Sequence, residues 1–270
     1  MIHEPVQKDI NYSLVGQYFD SIADDYLVRS ESNPIIAEMK QSFRSFTTGG
    51  TPKAILDIGC GRGQDTVYFA KRYPKAQVYG IDVSSKMIEY AAKLANESNL
   101  TNVRFINTDI NDLQQLPNGQ KFDLIYVFFG ALNTTSSLKE CAETINGLLM
   151  PGGKVVLTFV NKYYMADFFI NVFKGRLKQA LARWQRFWAG YAQGSSVKST
   201  LYTPKKIQKA FFQLQLKNKR GYSIFYPAWY QADWLMRFPR LCRALKKADA
   251  VANKCFLWKY GEYTLFVFEK

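Results

Sequence analysis

Residues Lys53 to Gly63 read KAILDIGCGRG, and the last seven, Asp57-Ile58-Gly59-Cys60-Gly61-Arg62-Gly63, decide the fold. An apolar run that ends in an acid and three alternating glycines reads as a strand turning sharply into a helix. Glycine lets the backbone adopt left-handed angles and approach a ligand with no Cβ in the way. A dinucleotide site of the form G-x-G-x-x-G would need glycine at position 64, where the chain has Gln64. The pattern is D-x-G-x-G-x-G instead.

Outward from this turn, short β-rich runs alternate with helical stretches. The runs are Lys53 to Cys60, Gln77 to Asp82, Val103 to Asp109, Phe122 to Phe129 and Lys154 to Val160. Helices are expected over Gln64 to Arg72, Ser84 to Asn96 and Ser136 to Leu149, with Ser84 or Ser85 as an N-cap. Apolar strands separated by helices imply an α/β fold, a doubly wound and mainly parallel sheet covered on both faces. In such sheets ligands bind beyond the carboxyl ends of the strands, where the strand order reverses. Upstream, Tyr12 to Arg44 reads as one or two helices, with Phe19, Ile22, Ala23 and Tyr26 sharing a face. Downstream come a long amphipathic stretch to about Gln193, a helix after Pro204, a strand around Leu214 to Tyr226, a helical insert, and a last strand at Tyr263 to Phe268.

With its three glycines, and with acids ending the second and third runs, the chain resembles the class I S-adenosylmethionine-dependent methyltransferases over about Tyr18 to Val160 and again at the last strand. The resemblance implies a seven-stranded Rossmann-like sheet with S-adenosyl-L-methionine held at the turn by Asp57, Gly59, Cys60, Gly61 and Gly63. It places Asp82 on both ribose hydroxyls, since an ionised carboxylate accepts several hydrogen bonds. Asp109 with Ile110 would meet the adenine amino group, and Val83 and Met87 its apolar face. Phe128, after the fourth strand, completes the cofactor wall. Tyr18, Tyr26 and Arg29 belong to the helix that caps the cofactor in many small-molecule members, Arg29 as a partner for the methionine carboxylate. The Pro151-Gly152-Gly153 turn before the fifth strand is a further family feature. The organisation expected is a helical cap over residues 1–50, a cofactor core over 51–160 and inserts with the final strands over 161–270, all one domain.

Composition narrows the chemistry. His3 is the only histidine, which argues against a His-ligated zinc site and against any triad using His as base. Four cysteines without a C-x-x-C pair argue against a disulfide scaffold and fit a reducing compartment. No apolar run of membrane-spanning length exists, and the polar start lacks the pattern of a secretory signal, so a cytoplasmic location, with a peripheral membrane contact as a candidate, is expected. Displacement at a sulfonium methyl needs alignment more than a strong base, so the missing histidine is no obstacle. The stretch after the fourth strand, Val127 to Asn133, lacks the Asn/Asp-Pro-Pro-Tyr/Phe signature of enzymes that methylate base amines. Asn133, Asn161, Tyr163 and Tyr202 could orient an acceptor, but structural roles suit them better, and no catalytic base or metal ligand is assigned.

Charge divides the chain. Residues 1–160 carry 15 Lys and Arg against 17 Asp and Glu, whereas residues 161–270 carry 21 against 5, so the whole positive excess lies in the last 110 residues. All five Trp lie there too. Met165, Phe168, Phe169, Val172, Phe173, Leu177, Ala180, Leu181, Trp184, Phe187, Trp188 and Tyr191 form one continuous helical stripe opposite Lys174, Arg176, Lys178, Arg183 and Arg186, with Gly175 and Gly190 as breaks. Ala228 to Lys259 repeats the mixture. Three readings compete: a lid whose apolar face packs on the core, an interfacial helix on an anionic membrane, and an RNA surface, ranked in that order. The function expected is methylation of oxygen or nitrogen on a small aromatic or hydrophobic metabolite, natural-product or lipid-like, beneath an aromatic lid. An RNA methyltransferase and a regulatory protein that only binds the cofactor are the alternatives.

Overall fold

Four parallel pairings and two antiparallel ones order seven strands as β3-β2-β1-β4-β5-β7-β6 in the computed structural model of the chain. It describes residues 12–184, 197 and 199–270, and for residues 25–31 the backbone alone. The strands are β1 Ala54–Ile58, β2 Gln77–Asp82, β3 Val103–Asn107, β4 Phe122–Val127, β5 Leu149–Val160, β6 Gln215–Tyr222 and β7 Tyr263–Glu269. The order reverses between β1 and β4, so the crevice opens beyond Ile58, where the glycine turn lies.

Alternation along the strands builds two core layers. On one face Leu56, Ile125, Val155, Phe266 and their neighbours meet Cys141 and Ile145 of α5 (Leu138–Leu148) and Ile207 of α8 (Pro204–Ala210). On the other, Ile55, Leu124, Tyr126 and Val156 meet Met39 and Phe43 of α2 (Pro34–Phe46) and Phe69 of α3 (Gln64–Arg72). The N-terminal helices are two: α1 spans Tyr12–Glu31, and Asn33 then caps α2, its Oδ1 accepting from Ile35 N and Ile36 N. Ser84 caps α4 (Ser85–Glu97) as its sequence suggests, its Oγ accepting from Met87 N at 3.1 Å.

Two expectations need correction. β5 already starts at Leu149, and the Pro151-Gly152-Gly153 turn sits inside it as an irregularity where the pairing with β4 shifts. The long stripe after Val160 is not one helix: α6 (Met165–Phe173) ends at Lys174, Gly175 takes φ +69°, and α7 (Leu177–Leu181) passes into a 3-10 turn at Ala182–Trp184. Nor is α6 a fully buried lid helix: Met165 to Phe168 are half-buried, Phe168 stacking on Trp184 with ring centroids 5.1 Å apart, while Phe169, Val172 and Phe173 are exposed. Phe187, Trp188, Tyr191, Arg186 and Gly190 lie outside the described residues, as does His3. The second insert folds into α9 (Asp233–Arg237) and α10 (Pro239–Ala252).

Candidate active site

The turn after β1 is held from behind. Gly59 N and Cys60 N both donate to Ile81 O, at 2.8 and 3.0 Å, which fastens it to the end of β2. Gly59, Gly61 and Gly63 all have positive φ, but the space around them differs. A Cβ on Gly59 would lie 2.5 Å from the Ala131 Cβ, and one on Gly63 2.8 Å from the Ala91 Cβ. On Gly61 it would meet nothing within 4 Å. Two glycines are therefore demanded by packing, and the middle one opens onto free space.

Asp82 faces this turn. Its Oδ2 accepts from Gly61 N at 2.8 Å and its Oδ1 from Ser84 N at 2.9 Å, and burial raises its pKa. A carboxylate offers about four acceptor sites, so each oxygen retains capacity. Asp57 occupies a different place. Ile55, Asp57 and the adjacent Tyr126 of β4 point to the α2 and α3 face, so Asp57 is only 2% exposed. Its Oδ2 accepts from Thr66 Oγ1 at 2.6 Å and Tyr126 OH at 3.0 Å, and burial pushes its pKa up to about 8. Asp57 thus braces the turn from beneath, whereas Asp82 lies beside the open glycine. Gln64 follows the turn at the start of α3 with its Nε2 buried and without a hydrogen-bond partner. A buried donor left unmatched is costly, and an acceptor on a bound molecule would satisfy it.

The remaining expected positions divide. Cys60 is buried in the turn and Met87 in α4. Val83 is half-buried and packs with Val15, Tyr18 and Phe19 of α1. Gly16 lets that helix come down on the Val83 carbonyl, whose oxygen would lie 2.7 Å from any Cβ placed there. Asp109 is half-buried, one oxygen taken by Asn111 N at 2.7 Å, while Ile110 is buried in the core. Phe128 is also a core residue, its ring 4.7 Å from Tyr126 and 5.4 Å from Phe43. Tyr26 and Arg29 lie on the last turns of α1, and their side chains fall outside the described residues.

Three residues to which the sequence assigned no role of their own fasten α1 over the crevice. Arg62, inside the glycine turn, donates from Nη1 to Ala23 O at 2.7 Å and Asp24 O at 3.3 Å, its guanidinium 3.8 Å above the Tyr90 ring. Asp20 Oδ1 accepts from Ser84 Oγ at 2.6 Å and Lys86 N at 2.9 Å, adding a second cap to α4. Asp24 takes the Tyr90 hydroxyl and pairs with Lys86 at 3.0 Å. The available signal was the cation placed among the glycines and the acids spaced four apart on α1.

On the acceptor side, three of the four candidates named from sequence, Asn133, Asn161 and Tyr202, are built into the fold. Asn133 ties the end of β4 to that of β5, accepting from Val160 N and donating to Val160 O and Thr200 O. Asn161 is buried and donates to Lys259 O and Gly261 O. Tyr202 is buried with its pKa pushed up to about 12, so it is no base near neutrality. Tyr163 is exposed. Past β5, Arg183 is 4% exposed, 3.7 Å from Asp167, its guanidinium 5.0 Å over the Tyr164 ring; Tyr230 donates to the same Asp167 at 3.2 Å. Phe129, with φ +53°, is a non-glycine residue in the left-handed region at the mouth of β4, a conformation that clusters at functional sites.

A family model described as a methyltransferase domain matches residues 51–226. Among curated proteins, the malonyl-acyl-carrier-protein O-methyltransferase of Halalkalibacterium halodurans is 41% identical over 105 residues, 37% of this chain and 38% of that protein. The chain thus spans well under two thirds of that relative's length. Among solved structures, the 4+2 cyclase SpnF aligns with a TM-score of 0.64 at 17% identity, covering 97% of this chain and 96% of that one. An S-adenosylmethionine-dependent methyltransferase from Mesorhizobium loti aligns with a TM-score of 0.58 at 21% identity, over 85% and 96% of the two chains. At these identities the likeness is one of fold, and a cyclase beside a methyltransferase shows that the fold alone does not name the reaction.

Proposed function

Because the chain belongs to the methyltransferase-domain family, we propose that it transfers a methyl group from S-adenosylmethionine to a small, predominantly apolar acceptor. The observation that carries this is the pairing of Asp82 with the open Gly61 at the strand-order reversal. Asp82 would take the ribose hydroxyls on the free acceptor capacity of its carboxylate, with the Gly61 backbone beside it. Gln64 Nε2 would donate to an acceptor on the bound cofactor, Asp109 would accept from the adenine amino group, and Val83 with Met87 would line its apolar face. When bound, the cofactor supplies an activated sulfonium methyl, with a neutral thioether as leaving group.

The chain's own part is then alignment and exclusion of water. α1 closes the crevice through Arg62, Asp20 and Asp24, while Asn133 and Asn161 fix the ends of β4, β5 and β7 that face the acceptor. Burial raises Tyr164, Tyr202 and Tyr230 above their ordinary range, so none serves as a base at neutral pH. Acceptors that need no tyrosine base suit this arrangement, such as carboxylates or neutral amines. The H. halodurans relative is named for O-methylation of a malonyl-acyl-carrier protein, and a malonyl group bears a carboxylate. S-adenosylhomocysteine should raise the melting temperature and NAD should not; no shift with either cofactor defeats the proposal. Incubation of small-molecule extract fractions with a labelled methyl donor then identifies the acceptor.

A further inference from the structure

We propose that the hairpin formed by α6 and α7 docks this chain on the surface of an anionic lipid bilayer. α6 reads MADFFINVF; its first turn, Met165 to Phe168, is half-buried, whereas Phe169, Val172 and Phe173 are exposed. Phe173 is 87% exposed and Leu177 62%, and Phe169 and Leu181 are exposed one turn away on their respective helices. Between the helices Gly175 reverses the chain, Gly175 N donating to Val172 O and Arg176 N to Asn171 O. Apolar side chains from both helices therefore meet at one tip. A contiguous apolar surface of this kind marks an interaction site, unlike apolar residues scattered singly.

Charge decides the partner. Lys174, Arg176 and Lys178 stand exposed around the same tip, and Asp167, the only acid from Met165 to Trp184, is engaged by Arg183 and Tyr230. Apolar side chains ringed by cations match the boundary between acyl chains and anionic headgroups. Phe169 and Phe173 offer flat rings, but Val172, Leu177 and Leu181 beside them are aliphatic, a mixture that suits acyl chains better than a platform for stacking bases. α6 starts five positions after Val160 at the carboxyl end of β5, so docking would turn the acceptor side of the sheet toward the lipid. No helix among the described residues is long and apolar enough to cross a membrane, so the contact is peripheral. This inference is independent of the chemistry proposed above, because its readout is partition and not turnover.

The test is sedimentation of the full chain with vesicles of phosphatidylcholine alone or mixed with phosphatidylglycerol, at physiological salt. Binding to the mixed vesicles is expected, with little to phosphatidylcholine. The triple variant Lys174→Glu, Arg176→Glu, Lys178→Glu should lower partition on the order of a hundredfold. Phe173→Ser with Leu177→Ser should lower it about tenfold or more, because these side chains would no longer enter the acyl region. Both variants alter exposed side chains only, and an unchanged circular-dichroism melt shows them folded. Absence of binding to phosphatidylglycerol vesicles overturns the proposal. So does binding that the serine variant leaves intact while the glutamate variant abolishes it, since the surface would then be a site for RNA or an acidic protein.

Discussion

The carboxylate of Asp82 accepts the backbone N–H of Gly61 at 2.8 Å, although 21 positions separate them in the chain. One residue thus shapes the glycine turn and keeps acceptor capacity beside its open face. Asp82→Asn preserves the side-chain volume but leaves a single acceptor oxygen. Its dissociation constant for S-adenosylhomocysteine, measured by titration calorimetry, should rise on the order of a hundredfold, since hydrogen bonds to a charged group contribute about 1.5–3 kcal/mol each. An unchanged constant would remove Asp82 from the ribose site.

Asp57 should betray itself in the pH dependence of folding. Burial holds its proton on up to about pH 8, with the hydrogen bonds from Thr66 and Tyr126 opposing that rise only in part. The unfolded carboxyl loses its proton near pH 4. A folded pKa above the unfolded one stabilises the fold fully below about pH 4, and that contribution is lost as pH rises toward about 8. The slope is at most about 1.4 kcal/mol per pH unit, and it levels off above about pH 8. Urea unfolding of the wild type and Asp57→Asn at several pH values should therefore show the wild type losing stability relative to the variant up to about pH 8. Parallel curves over that range would mean that Asp57 is ionised in the fold.

These two aspartates also show how far sequence carries the reading. Strand alternation and the glycine turn are local signals, so the sheet and its strand-order reversal were legible, and Asp82 and Gly61 lie beside each other there. That Asp57 faces Thr66 and Tyr126, away from the open side of the turn, depends on pairing with β4, which lies 69 positions away. Phe128 and Ile110 read as cofactor neighbours by motif; that both are also buried in the two core layers depends on strand and loop geometry, which the motif does not carry. The clasp on α1 was missed for the same reason: Arg62 reaches backbone carbonyls, which carry no residue signature. The break at Gly175 was visible as a glycine, but the exposure of Phe169, Val172 and Phe173 on α6 was not, because a helical stripe looks alike whether it meets a core or a bilayer.

Arg62 links the turn to the cap. Arg62→Ala removes hydrogen bonds to Ala23 O and Asp24 O together with the stacking on Tyr90. The core does not depend on it, so the melting temperature should change little. Amide exchange across α1 should accelerate, by about tenfold or more if one charge-assisted bond of about 1.5 kcal/mol is lost. Arg62→Lys, which keeps the charge but not the planar fork, should restore only part of the protection. Exchange in α1 identical to wild type would show that the cap is held elsewhere.

The glycines separate fold from function within one turn. Gly63→Ala would push its Cβ to 2.8 Å from the Ala91 Cβ and 3.0 Å from the Phe105 ring, so α3 and α4 must shift apart. Overpacking of this kind costs about 1–3 kcal/mol, and the left-handed backbone adds about 1–2 kcal/mol. Gly61→Ala bears only the backbone term, since its Cβ meets no protein atom within 4 Å. Its methyl group instead enters the open space proposed for the cofactor. Gly63→Ala should therefore show the larger fall in melting temperature, while Gly61→Ala stays folded and loses the shift produced by S-adenosylhomocysteine. Retention of that shift in folded Gly61→Ala would place the cofactor away from this turn.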